Sequence, residues 1–480
     1  MAGKRQQRGG GPARSLFIEP FVDEGLGNSA YLVGSRAAKV AAMVDPLRDV
    51  DGYLDSAKAL GVAITHVVDT HLHNDFVTGA REIAARTGAQ VGASAEAGVE
   101  FDHTSLKEGD LLRLGDVSIG VIASPGHTPE HIALTATEPG AKAPSVLFSG
   151  GALIVGGAAR TDLLGHDLTE PLARRLYHTI HDKLLALPDS VVLCPTHGAG
   201  SFCAAPAVDE RTSTIGMERV RNPLCQSQTE DEFVARALEG LPSYPVYFRE
   251  LRPVNRRGPK VLGRLPDPTP LPPPEVKAWV DRGGAVLDVR RAVAFAEGHI
   301  PLAYGIALDA PLVTWAGWLI PFGTPLVLVA DDPKVREEAV RELIRIGYDD
   351  FHGYLAGGMA AWRAAGFSLE AVPRIRAADL HEQITEGDAP IVLDVRSDGE
   401  WEDGHIPGAV HFENGRLPFE DLALPKDRPI VVHCSVRNRS MAGISVLARR
   451  GYRNLTLMDG GFRDWSRAGF EVEVGSRDGA

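Results

Sequence analysis

The sequence predicts an α/β protein of three domains, and three observations carry that expectation. Up to about residue 205, short β-rich runs such as "SAYLVG", "AAMVDP", "AITHVVDTH", "VSIGVIASPGH" and "PSVLFSGGALIVGG" alternate with helical stretches such as "GAREIAARTGA". A segment rich in Pro and Arg, "RPVNRRGPKVLGRLPDPTPLPPPE" at 252 to 275, then breaks the pattern. Beyond it the chain repeats itself. The length of 480 residues agrees, since roughly 150 residues per domain gives about three.

With 44% hydrophobic and 24% charged residues, the composition is that of an ordinary globular protein. No apolar run approaches the roughly 20 residues needed to cross a bilayer, so no membrane is expected as partner. The N-terminus "MAGKRQQRGGGPARS" has basic residues but no apolar stretch behind them, which reads as a disordered tail over 1–15 of a cytoplasmic protein. A net charge of −13 weighs against nucleic acid. Cys194, Cys203, Cys225 and Cys434 show neither zinc-site nor disulfide spacing, so reduced thiols are expected, with Cys194 and Cys203 simply packing.

The first domain, 16–251, is expected to carry its chemistry on loops after strands. At such a strand end, "THLHNDF" offers His71, His73 and Asp75, a grouping suited to a metal. "SPGHTPEHI" adds His127 and His131, and "CPTHGAGSF" adds His197. His131 and Glu130 are expected to satisfy a helix start, and His178 and His181 in "LYHTIHD" to lie on a solvated helix face. The segment 252–272 is expected to be an extended linker.

After the linker, "VLDVRRAVAFAEGHIPLA" at 286 recurs as "VLDVRSDGEWEDGHIPGA" at 392, "PLVLVADD" at 325 as "PIVVHCSV" at 429, and "LAGGMAAWRAAGF" at 355 as "MDGGFRDWSRAGF" at 458. Offsets of 106, 104 and 103 imply two copies of one domain, at 273–372 and 373–480, each with the element order of a parallel α/β sheet. In the second copy "PIVVHCSVRNRSMAGISVLARRGY" reads as a strand, a tight loop headed by Cys434, and a helix opened by Ser440. A helix N-terminus with Arg437 and Arg439 nearby favours a thiolate and cradles an anion. The first copy has Ala330 at the matching position, followed by Asp331 and Asp332, so it lacks a nucleophile and reads as a structural or docking module.

With "LDVR", "GHIPGA" and a cysteine-headed loop ending in "RNRS", residues 270–480 resemble rhodanese (sulfurtransferase) domains. The resemblance implies that Cys434 carries sulfane sulfur as a persulfide, while Arg439, Arg437, Ser435, Ser440 and the loop amides serve substrate. Arg437 stands where glycine is usual. The first domain resembles the metallo-β-lactamase fold, an αββα sandwich. "VDPLRDVDGYLDSAKALG", "HLHNDFVTGAREIAARTGA", "PTHGAGSFC", "STIGMERVRNP" and "VNRRGP" are similar to one branch, the persulfide dioxygenases fused to rhodanese domains.

That resemblance implies one Fe(II) per chain, held by two histidines, matched here to His71 and His127, and by an aspartate. Phe76 suits a one-metal branch and argues against a two-zinc hydrolase, while Asp75 is expected to orient a histidine. The aspartate position falls on Gly151, so an impaired dioxygenase site is expected, and Gly151→Asp is expected to raise iron binding. Three arrangements stay open: His73 joins His71 and His127; water, or Asp75 with His197, completes the set; or the domain is a metal-free scaffold. The implied activity is oxidation of a small thiol persulfide, such as glutathione persulfide, to sulfite, and sulfur transfer to or from thiosulfate through Cys434. A sulfurtransferase with a metal-free first domain and a non-catalytic persulfide sensor are the alternatives. A homodimer is expected because the first domain of this family often pairs.

Overall fold

In the computed structural model, which describes residues 15–205, 208–309, 311–387 and 389–475, the strand Asn28–Ser35 is buried along its whole length. A strand buried on both faces must be covered twice. Ala30 and Leu32 pack beneath helices, and Tyr31 and Val33 face a second sheet. The first sheet has six strands in chain order: Leu16–Asp23, Asn28–Ser35, Val40–Val44, Ala63–Val68, Gln90–Ser94 and Thr104–Leu106. The second sheet orders Ser213–Thr214, Val192–Pro195, Val146–Gly150, Ile132–Thr137, Val117–Ala123 and Leu111–Leu114. Tyr31, Val33 and Val44 meet Ile119, Leu134 and Phe148 between the sheets. Helices Asp51–Leu60 and Ala80–Thr87 cover one outer face, and His166–His178 with the turn Thr179–Leu184 covers the other. This is the αββα sandwich that the resemblance implies. The expected tail at 1–15 lies, apart from Ser15, outside the described residues.

Two expectations fail here. No helix starts at His131, which precedes the strand Ile132–Thr137. Nor is 252–272 an extended linker: Phe248–Arg257 is an α-helix, and residues through Gly263 belong to the first compact unit. The physical reason lies in the side chains of "RPVNRRGP". Arg252 forms two hydrogen bonds with Glu130, at 2.9 and 2.7 Å. Buried Asn255 donates to the carbonyls of His73 (2.9 Å) and Phe76 (2.8 Å) and accepts from Thr78 N (3.0 Å). Those bonds satisfy the irregular backbone of "HNDFVT", and a helix is the conformation that delivers them. Farther on, Glu82 accepts from the amides of Leu262 and Gly263, and Pro270–Leu271 is already a strand of the next domain.

The second compact unit holds both repeats. Each is a five-stranded, all-parallel sheet. The orders are Pro270–Leu271, Phe351–Leu355, Leu326–Val329, Ala285–Asp288, Tyr304–Gly305 and Arg374–Arg376, Leu455–Asp459, Ile430–His433, Ile391–Asp394, Val410–His411. The shared "LDVR" is a brace. Arg290 clamps buried Asp288 and donates to the Gly298 carbonyl, and Arg396 does the same with Asp394 and Gly404. The first copy also supplies a wholly buried helix, Leu312–Leu319, whose Trp318 ring sits against Gly415 of the second copy. Arg449 of the second copy reaches back to the Leu302 carbonyl (2.6 Å) and lies over the Tyr304 ring. The copy without a cysteine therefore docks on the copy that has one. No helix among the described residues is long and apolar enough to cross a membrane.

Asn255→Ala removes three buried hydrogen bonds at once, leaving two carbonyls and one amide of the histidine loop without their partner. The first unit should lose about 1–3 kcal/mol, read as a lower denaturation midpoint for that unit, while the rhodanese pair should unfold as before.

Candidate metal centre and candidate thiol site

Three chain segments bring histidines to one end of the sandwich: Thr70–Asp75 follows strand Ala63–Val68, His127 follows Val117–Ala123, and His197 follows Val192–Pro195. Among the described residues, ligand atoms of His71, His127 and His197 lie within 4.8 Å of one another, and all three residues are buried. Two other groups meet the same distance, His73 with Asp75 and His197, and Asp45 with Asp69 and His73.

Burial, reinforced by the neighbouring histidines, holds His71 well below the usual histidine range. Burial and His197 likewise bring His127 down to about 3. Both are thus neutral imidazoles near neutral pH, the form that binds a metal. His73 goes the other way, because Asp45, with its Oδ1 3.2 Å from His73 Nε2, outweighs burial and raises its pKa. Its Nε2 is thereby turned onto the Asp45 carboxylate and away from the three other rings' shared centre. His73 also stacks on Phe76, ring centroids 4.0 Å apart, which buries the phenylalanine fully. Asp75, although buried, is kept well below the carboxylate range by His197 and by Asn28 Nδ2, which donates to it at 2.7 Å.

His131 lies beside this cluster without joining it. Its Nε2 accepts from Gly151 N (3.0 Å), and its Nδ1 is 2.8 Å from Ser124 Oγ. Gly151 itself has no room for a side chain. A Cβ there would sit 2.6 Å from His127 Cδ2 and 2.9 Å from Ala159 Cβ, so Gly151→Asp requires the His127 ring or Ala159 to shift. Cys194 packs between the sheets as expected. Cys203 is buried too, but its thiol bonds to Asp75, and burial first and then that carboxylate push its pKa well up. His178 is exposed and pairs with Asp182, whereas His181 is half-buried against Tyr177.

The buried Nε2 of His127, which no protein group satisfies, is the clearest fit to a metal ion. Each imidazole in the trio has its other nitrogen held by protein: His71 Nδ1 by Thr70 Oγ, His127 Nδ1 by the Arg160 carbonyl, His197 Nδ1 by Asn28. That is how metal-ligating histidines are oriented.

In the last domain, strand Ile430–His433 runs into Cys434, and the helix Asn438–Arg449 begins four residues later. Its first amides have no acceptor within the helix. Cys434 is 2% exposed, with Ser440 Oγ 3.5 Å from its sulfur and the Arg439 side chain hydrogen-bonded to it. Gly461 makes the loop's shape affordable: at φ +61°, its position brings a would-be Cβ within 2.4 Å of the Cys434 carbonyl, and Phe462 N caps that carbonyl at 2.8 Å.

The two arginines of the loop are not free cations. Arg439 makes two hydrogen bonds to Glu400, at 2.6 and 2.7 Å, and a third to Ser435 Oγ (2.7 Å), which in turn donates to Glu400. Arg437 pairs with Asp459 at 3.3 Å. Glu400 was missed in the sequence. Its spacing from Ser397 signals a capping box, which the structure contains, but nothing local announces its pairing with Arg439. In the first copy, Asp332 caps the helix Pro333–Arg345 at the position where the second copy carries its loop.

Fold and sites together define a metallo-β-lactamase-superfamily domain with a histidine-lined centre, followed by a rhodanese tandem with one thiol. The family description "Metallo-beta-lactamase superfamily" matches residues 23–197, and "Rhodanese-like domain" matches 272–365 and 376–468. The chain is 31% identical over 210 residues to "Persulfide dioxygenase ETHE1, mitochondrial" of Homo sapiens, covering 43% of this chain and 77% of that protein. It is 35% identical over 171 residues to a hydroxyacylglutathione hydrolase of Rhodospirillum rubrum, covering 35% of this chain and 61% of that one. Among solved structures, a metallo-beta-lactamase of Staphylococcus aureus superposes with a TM-score of 0.66 at 28% identity, over 71% of this chain and 99% of that one. The chain belongs to the family of persulfide dioxygenase-like proteins fused to rhodanese domains.

Burial alone would raise the Glu400 carboxyl, but hydrogen bonds from Arg439 and then its charge prevail and hold it at about 2, against an ordinary 4.5. A depressed folded pKa adds stability above pH 4.5 that is lost as pH falls toward 2. In thermal melts across that window the midpoint of the rhodanese unit should fall, and Glu400→Gln should remove that part of the dependence.

Proposed function

We propose that the chain is a two-centre enzyme for persulfides of small thiols, with glutathione persulfide as the type of substrate. The rhodanese centre handles sulfane sulfur. Cys434–SH attacks the terminal sulfur of a persulfide RSSH; the S–S bond of the donor breaks, RSH leaves with a proton, and Cys434–SSH remains. Sulfite then takes the outer sulfur as thiosulfate and returns the Cys434 thiol. The start of the helix Asn438–Arg449, whose first amides have no acceptor within the helix, would cradle the sulfur being transferred, Ser440 Oγ lies beside the Cys434 sulfur, and Glu400 fixes the guanidinium of Arg439.

The first domain supplies the sulfite. A persulfide, dioxygen and water give thiol, sulfite and two protons, the sulfane sulfur losing four electrons that dioxygen gains. His71 and His127 would hold iron(II), and the ion supplies the redox chemistry that joins dioxygen to the persulfide sulfur. The surrounding residues keep both imidazoles neutral and oriented. Tethering both centres in one chain raises the effective concentration of sulfite at Cys434.

The observation that carries this reading is the coexistence, in one chain, of a buried histidine cluster with an unsatisfied Nε2 and a cysteine seated at a helix start. Glycine at 151 favours one second reading, a sulfurtransferase whose first domain is a metal-free scaffold. Oxygen uptake by iron-supplied protein with glutathione persulfide separates the two. Uptake with sulfite formation supports the two-centre enzyme; its absence, with thiosulfate still made from persulfide and added sulfite, leaves only the sulfurtransferase.

Cys434→Ser should bring thiosulfate formation to background. Intact mass should show one added sulfur on the wild-type chain after persulfide treatment and none at that position in the variant. Oxygen uptake should persist. Transfer that survives the substitution would remove Cys434 from its role.

A further inference from the structure

Hydrogen bonds running away from the histidine cluster decide which nitrogen of each ring carries its proton. Asp45 accepts at both oxygens, and Thr70 Oγ spends its single hydrogen on Asp45 Oδ2 at 2.8 Å. At 2.8 Å from His71 Nδ1, that hydroxyl can only accept, so His71 carries its proton on Nδ1. Asn28 Nδ2 donates to Asp75 Oδ2, which turns Asn28 Oδ1 toward His197 Nδ1 at 3.1 Å; His197 therefore also carries its proton on Nδ1. The Arg160 carbonyl accepts from His127 Nδ1 at 2.7 Å, giving the third ring the same tautomer.

The consequence is three Nε2 lone pairs turned inward. His71 Nε2 and His197 Nε2 lie 3.4 Å apart with no proton between them, and His127 Nε2 has no partner at all. In a buried site such an arrangement is repulsive unless a cation sits among the lone pairs. The spacing suits one: two imidazole nitrogens each about 2.0–2.1 Å from one ion, at a near-tetrahedral angle, are about 3.4 Å apart.

The geometry points to a mononuclear centre in which Nε2 of His71, His127 and His197 together hold one divalent first-row metal ion, His197 standing in for the carboxylate absent at Gly151. Asp75, 3.3 Å from His197 Nδ1, is its positioning residue, forming a carboxylate–histidine–metal chain. In the other groupings the groups are already engaged, His73 giving its Nε2 to Asp45 Oδ1 and Asp75 taking Asn28 Nδ2 and facing His197 Nδ1. Asp45 is saturated by Thr70, Thr196 and His73, Asp69 accepts from Thr78 Oγ, and His131 uses its Nε2 on Gly151 N. The ring of His127 and the Ala159 methyl occupy the space that a side chain at Gly151 would need. Three neutral ligands leave the ion both of its charges, so its further ligand is an anion, which a persulfide provides. This inference rests on the reading of the first domain as a metal centre and names its third ligand.

The full chain, stripped with chelator and reloaded anaerobically with Co(II) and separately with Fe(II), tests it. The readouts are metal per chain, the visible Co(II) absorption, and affinity by chelator competition. Wild type should hold one ion. Asp75→Asn should weaken binding about 10–100-fold, and His197→Gln more than that. The exposed His178→Gln should match wild type, and Gly151→Asp should bind no more tightly. If His197→Gln binds as tightly as wild type while His127→Gln does not, the third ligand is elsewhere and the metal reading survives alone. A tenfold gain from Gly151→Asp overturns the inference in the same way. Folded wild-type protein that takes up no ion overturns both. If circular dichroism shows His197→Gln unfolded, Asp75→Asn decides, and unchanged affinity there sinks the proposal.

Discussion

The buried carboxylate of Asp45 holds together the end of the first domain where its chemistry lies. It follows strand Val40–Val44, adopts a left-handed φ of 49°, and accepts hydrogen bonds from Thr70 N, Thr70 Oγ, Thr196 Oγ and His73 Nε2. Thr70 follows a strand of the first sheet and Thr196 a strand of the second, so one anion joins the two layers where they carry histidines. Burial would neutralise a lone carboxylate, but its donors keep this one ionised. The tautomer of His71 descends from it through Thr70, and the direction of the His73 Nε2 descends from it directly. Asn255, reaching in from the helix Phe248–Arg257, fixes the other side of the same loop.

The rhodanese pair separates bracing from chemistry. Both copies keep the Asp–Arg clamp, the histidine after it stacked on an aromatic ring (His299 on Phe295, His405 on Trp401), and the tryptophan whose indole N–H caps a following carbonyl. Only the second copy has a thiol, and among the described residues it is there that a glutamate grips the loop arginine. The resemblance implies that Arg439 and Arg437 serve substrate as cations. Each is instead matched by a carboxylate, Arg439 by Glu400 and Arg437 by Asp459, so neither brings an uncompensated positive charge to Cys434.

Much of the fold was legible in the sequence because its signals are local. Strand and helix periodicity marked the layers, and the repeat offsets marked two copies of one sheet. The strand–cysteine–helix order placed Cys434, and "THLHNDF" with "SPGH" placed His71 and His127. Reading by composition failed where long-range partners override it: "RPVNRR" looks like linker, yet Asn255 and Arg252 find partners about 120 to 180 residues away that make a helix worthwhile. Glu400 and Asn28 were invisible for the same reason, since their roles exist only through Arg439, Asp75 and His197.

What the sequence by itself determined is the inventory: three α/β domains, one cysteine between the two rhodanese copies, several histidines at strand ends, and a glycine where a carboxylate is expected. Tertiary structure alone decided which histidines belong together. Tautomers and lone-pair directions depend on hydrogen bonds between residues far apart in the chain, and the room at Gly151 depends on where His127 and Ala159 come to rest. Periodicity carries information about neighbours along the chain, whereas a ligand set is a property of neighbours in space.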